Sequence, residues 1–191
     1  MRKAMALVLA LVMAGSLLAC GGGSWKKFEG KGYTIDVGKD WAFEDNESSI
    51  SDVASYTYYP NGKPATGEAK PWVLIMEFQM SYYKDMSPEE QEAKLLEYYV
   101  DNEQTLGTNH VVEKYSNIQK GRFGNYPYVR ATEHSTVTDN NTKEQYSYTA
   151  VSIRFFSADD TVIYICCSAH DDVWSTIESD FNHVLDSVKL K

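Results

Sequence analysis

The stretch TVIYICCSA, Thr161 to Ala169, is apolar on both of its alternating faces, with Ile163 and Ile165 set against Val162 and Tyr164. Successive strand residues point to opposite sides of a sheet, so a strand of this kind needs a packed layer above it and another below. Three segments with a period of two precede it: HVVEKYSNI from His110, YPYVRATEHSTVT from Tyr126 and EQYSYTAVSIRFF from Glu144. TDNNT and SADDT supply turn residues, so the last three segments read as an antiparallel meander.

The covering layers are sought in two helices. In SPEE, Ser87 suits the N-cap, Pro88 the first helical position and Glu90 the third residue of a capping box. Ala93, Leu96, Tyr99 or Val100, Glu103 and Leu106 follow at helical spacing. A second helix is predicted from Asp171 to about Ser187, with Trp174, Ile177, Phe181, Leu185 and Val188 as its apolar stripe and Asp171 and Asp172 at the positive end of its dipole. Ahead of these, Tyr33 to Val37 and Ala54 to Pro60 read as strands, Asn61 to Pro71 as a loop and Trp72 to Met80 as a central strand. The expected fold class is α+β: a central antiparallel sheet with helices packed on both faces, an α/β/α sandwich.

The amino terminus concerns location. Arg2 and Lys3 precede an apolar run from Ala4 to Ala19, the pattern of an export signal and too short to span a bilayer. Leu17-Leu18-Ala19-Cys20 resembles the lipobox of bacterial lipoproteins. The resemblance implies cleavage before Cys20 and a diacylglycerol on its sulfur; the other reading is a plain secretory signal ending near a cysteine. Residues 1–19 are thus read as signal, 20–29 as lipidated cysteine and flexible tether (Gly21, Gly22, Gly23 and Ser24 add reach without order), and 30–191 as one domain. The anchor places the protein extracytoplasmically on a membrane, not through it.

The chain carries 27 acidic against 18 basic residues, a net charge of −9. That balance argues against nucleic acid as partner and against a polybasic grip on anionic lipid. Cys166 and Cys167 are the remaining cysteines, so no disulfide framework is available. They read as two small buried hydrophobes or as a vicinal disulfide.

The sequence holds no Gly-x-Ser-x-Gly elbow, phosphate loop, His-Glu-x-x-His or Cys-x-x-Cys. His170, Asp171 and Asp172 are the weak metal candidates, with Asp159, Asp160 and His183 elsewhere; imidazole with hard carboxylates suits a divalent ion, and helix capping is the other explanation. Tyrosine occurs 14 times. Tyr56, Tyr58, Tyr82 and Tyr83 are candidate ligand-binding rings, against the ordinary preference of strands for tyrosine.

The closing stretch Ser157 to Leu190 resembles the end of the PsbP-like family: a hairpin turn, an apolar strand ending in small residues, a helix with an early Trp and a short terminal Ser-Val segment. GYTIDVGKDWAF, Gly32 to Phe43, is similar to the family's opening strand, with Asp40 and Trp41 following it. The resemblance implies an antiparallel sheet between helices and carries no activity with it. The expected function is a non-catalytic binding or accessory module at a bacterial cell envelope, needing no cofactor beyond the lipid and meeting an unidentified envelope protein. The alternative is a small-molecule or glycan receptor using the tyrosines. A hydrolase would require a nucleophile and base converging in a cleft.

Overall fold

The computed structural model describes residues 24–46, 52–65, 70–80, 83, 85–99, 104–105, 110–138, 142–157 and 160–191. The signal segment, Cys20 with its glycines, Tyr82, Asp159 and the Val100, Glu103 and Leu106 positions lie outside them. The elements are β1 (Trp25–Gly30), β2 (Tyr33–Gly38), β3 (Ala42–Asn46), β4 (Val53–Tyr59), β5 (Trp72–Gln79), α1 (Pro88–Glu97) and β6 (Gln104–Thr105), then β7 (His110–Phe123), β8 (Tyr126–Thr138), β9 (Gln145–Phe156), β10 (Thr161–His170), α2 (Asp171–Asp186) and β11 (Lys189–Leu190).

Eight strands form one antiparallel sheet in the order β3-β4-β5-β10-β9-β8-β7-β6. The meander is β8-β9-β10, and β7 joins it through a tight turn in which Gly124 takes φ +62°, a conformation glycine adopts without steric cost. β10 lies between β9 and β5, so its apolar residues are flanked on both edges as well as both faces. A small sheet, β1-β2-β11, lies apart from the large one in pairing.

The first core fills the space between one face of the large sheet, the small sheet and α2. Ile177, Phe181, Val184 and Leu185 of α2 meet Tyr33, Ile35 and Val37 of β2 and Val73, Ile75, Ile153, Phe155, Ile163 and Ile165 of the large sheet. A second core lies on the other face, where Leu95 of α1 packs with Tyr99, Val129, Ala131, Phe156 and Val162. The antiparallel sheet with its two helices therefore accounts for the two-faced strand. The expected helical cover of both faces is corrected in its details. Much of one layer is the small sheet, and on the other face α1 packs mainly against β8 and β9 of the large sheet.

Two boundaries also differ. The tether read over 20–29 overlaps β1, which begins at Trp25. Trp25 stacks on His183 at 4.1 Å and meets Trp41 edge-on at 5.7 Å, while Phe28 lies 5.1 Å from Tyr56. Burial of those rings outweighs the freedom of a flexible segment. The helix opened by Ser87 has its full capping box but stops at Glu97, with Tyr98 as C-cap. Tyr99 is 3% exposed, and its burial against the sheet draws the chain out of the helical path.

Candidate functional site

The sheet face beside α1 carries a hollow of about 380 Å³. Strand register explains it. Glu133, Ala150, Ser168 and Trp72 face one another in a row across β8, β9, β10 and β5. The neighbouring rows bring Ser135 against Tyr148, and Cys166 against Leu74. Paired residues share a face, so Ser135, Ala150, Cys166 and Ser168 make a low floor, and Trp72, Leu74, Val137, Tyr148 and Tyr164 stand around it. A second hollow of about 380 Å³ shares Trp72, Leu74 and Tyr148 and continues outward to Thr57, Tyr59, Pro64 and Lys70.

Toward α1 the floor gives way to Arg154. Its guanidinium lies 4.0 Å from the ring of Tyr164, 4.2 Å from that of Tyr98 and 5.7 Å from that of Tyr99, a packing that suits a planar cation. Tyr99 and Ser152 hydroxyls are 3.3 Å apart beneath it. Glu133 is 7% exposed. Burial pushes its carboxyl up from the ordinary range, and the charge of Arg154 opposes that rise. Burial, helped by the carboxylate of Glu133, pushes the Cys166 thiol up to about 12. The Tyr148 phenol is raised by burial and then by the negative charge of Asp172.

A thiol protonated at neutral pH is a poor nucleophile. His134, next to Glu133 in sequence, points to the opposite face, where its Nδ1 lies 3.2 Å from Thr149 Oγ1. His170 stands at the rim, edge-on to Tyr146 and Tyr148 at 5.7 and 5.4 Å. Its Nδ1 is 2.6 Å from Asp172 Oδ1.

The residues singled out from sequence are dispersed. Tyr56 and Tyr58 face the small sheet, 5.1 and 6.1 Å from Phe28. Tyr58 is 5% exposed, and burial pushes its phenol up to about 12. Tyr83 packs on Phe156 at 5.1 Å in the second core, on the other face from Tyr56 and Tyr58. These rings therefore do not converge, because packing the two cores claims them first. His170, Asp171 and Asp172 open α2, but Asp171 accepts from Thr149 Oγ1 at 2.8 Å while Asp172 faces His170. Among the described residues no three His, Cys, Asp or Glu side chains gather as metal ligands. Asp160 sits at the far end of β10, about 30 Å away at strand rise. His183 lies 3.6 Å from Asp36.

Trp72, Glu133, Tyr148 and Tyr164 line the hollow without standing out in the sequence. The available signal was the run Tyr164, Cys166, Ser168 on one face of β10, shorter and more polar than Ile163, Ile165, Cys167 and Ala169 on the other. Only register reveals that β8 and β9 place small residues beside it.

No protein-family model matches the sequence, and no curated protein does. The chain is similar in structure to cyanobacterial PsbP (CyanoP) from Synechocystis sp. PCC 6803, with a TM-score of 0.54 and 14% identity over 91% of this chain and 98% of that one. That likeness shows the fold. LpqN, involved in cell envelope biogenesis of Mycobacterium tuberculosis, aligns at a TM-score of 0.44 and 14% identity over 90% of this chain and 87% of its own. The Ran-binding protein Mog1p of Saccharomyces cerevisiae aligns at 0.42 and 11% over 88% and 96%.

Proposed function

We propose that this chain, which carries the PsbP-like fold, is a lipid-anchored extracytoplasmic lipoprotein of a bacterial cell envelope that acts by binding and has no catalytic task. Cys20 carries the diacylglycerol and is its membrane contact. The observation behind the binding reading is the walled hollow on the sheet face beside α1. Its size falls within the roughly 300–1,000 Å³ of small-molecule sites. The aromatic walls of Trp72, Tyr148 and Tyr164 favour the receptor alternative over a flat protein contact, and they take the role first sought in Tyr56, Tyr58, Tyr82 and Tyr83. The burial that pushes the Cys166 thiol up to about 12 supports the absence of covalent chemistry there.

A photoreactive side chain in place of Tyr148, in the full chain within its own membranes, tests the reading. One reproducible adduct is expected there, lost when Trp72→Ala is added. The same label at Ser175, on the exposed side of α2, should give none. Absence of any adduct at Tyr148, or equal labelling at Ser175, overturns the assignment of this face.

A further inference from the structure

The inner and outer hollows form one groove, since Trp72, Leu74 and Tyr148 line both. From Tyr59 on β4 to Ser135 on β8 the lining crosses β5, β10 and β9, about 19 Å at the spacing of neighbouring strands. Two hydroxyls lie in the inner floor. Ser135 is 6% exposed and Ser168 4%, both border the hollow, and among the described residues neither side chain has a hydrogen-bond partner. A buried hydroxyl left unpaired costs free energy that a ligand's polar group recovers.

The charges along the groove are already engaged. The charge of Arg154, whose guanidinium lies over the Tyr164 ring, acts on Glu133 at the inner end. Lys70 at the outer end donates to the carbonyls of Asn61 and Lys63. The rings left for a ligand are Trp72 and Tyr148, with Tyr59 at the outer end, held by its hydroxyl on Glu44 Oε2 at 3.1 Å.

We infer that the groove binds a linear oligosaccharide of uncharged sugars. The C–H face of a sugar ring is apolar and packs on Trp72, Tyr148 and Tyr59. Its hydroxyls donate and accept, as Ser135 and Ser168 do. The groove is the length of several linked rings, not of one. A charged ligand would give up hydration with no open counter-charge to meet it. The inference rests on the reading of this face as the contact site, and it adds the class and length of the ligand.

Chitotetraose and cellotetraose, their dimers, tetragalacturonate and fully deacetylated chitotetraose in its ammonium form are titrated calorimetrically into the full chain. Salt is added to screen the net charge of −9. A neutral tetramer is expected to bind tightest, its dimer roughly tenfold weaker and the charged tetramers weaker still. Ser168→Ala, a change small enough to keep the fold, should weaken the neutral tetramer roughly two- to tenfold. Tyr59→Thr should bring the tetramer to the level of its dimer and leave the dimer unchanged. Equal or tighter binding of either charged tetramer overturns the assignment to uncharged sugars, and equal binding of tetramer and dimer overturns the span; both leave the hollow as a binding site. No binding of either neutral tetramer at millimolar concentration overturns the inference as a whole, and the Tyr148 adduct then decides the parent reading by itself.

Discussion

Replacing Gly30 by alanine tests whether β1 belongs to the folded domain. Gly30 faces Tyr33 across the turn between β1 and β2. A Cβ at Gly30 would lie 2.2 Å from Cε1 and 2.3 Å from Cζ of the Tyr33 ring, against an ordinary contact of 3.4–4 Å. Relief therefore needs a displacement of more than about 1 Å. Tyr33 has little room to give it, being 0% exposed with Phe155 5.5 Å and Phe28 6.2 Å away. Overpacking of this kind costs about 1–3 kcal/mol, and the stiffer unfolded chain returns about 0.4–1 kcal/mol. A net loss of about 1 kcal/mol lowers Tm by roughly 2–4 °C in a domain of this size. Thermal unfolding followed by circular dichroism measures it, with Tyr33→Leu as the second arm. Leucine lacks the ring atoms, so Gly30→Ala should cost little in that background, and the cycle should show a coupling of about 1–2 kcal/mol. Wild-type stability for Gly30→Ala, or the same loss in both backgrounds, would refute the packing argument and return residues before 30 to a tether.

Two other outcomes follow from buried groups. Burial holds the Glu133 carboxyl above the range of an unfolded glutamate, with Arg154, Tyr115 and Cys166 around it. The folded state keeps its proton longer, so this group lowers stability as pH rises from about 4.3 through the raised value. Glu133→Gln should accordingly raise Tm at pH 7 and leave it unchanged near pH 3; a lower Tm at pH 7 would show that the carboxylate is net stabilising. Cys166 and Cys167 are buried free thiols. Neither should react with an aqueous disulfide reagent at pH 8 in the native protein, and in denaturant two thiols should titrate if Cys20 is lipidated, three if it is not. Rapid native labelling would contradict the burial, and a missing pair in denaturant without reductant would reveal the vicinal disulfide.

Local patterns carried much of the architecture. Alternation along Thr161 to Ala169 demanded two covering layers, and the Ser87 capping box and the Trp174-to-Val188 stripe marked the helix starts where they occur. These signals reside in neighbours a few residues apart, within reach of backbone geometry alone. The small sheet needed more. β1 is legible only when Trp25 and Phe28 find His183, Trp41 and Tyr56, contacts that no short window contains. The same holds for the candidate site. Glu133, Ala150, Cys166 and Trp72 come from four strands, and none is unusual in its own segment. Sequence determined that Tyr164, Cys166 and Ser168 share a face, because strand periodicity fixes it. Tertiary structure decided that small side chains on β8 and β9 lie beside them and that α1 stops short. Register between distant strands is set by whole-core packing, and a hollow exists only where that packing leaves one.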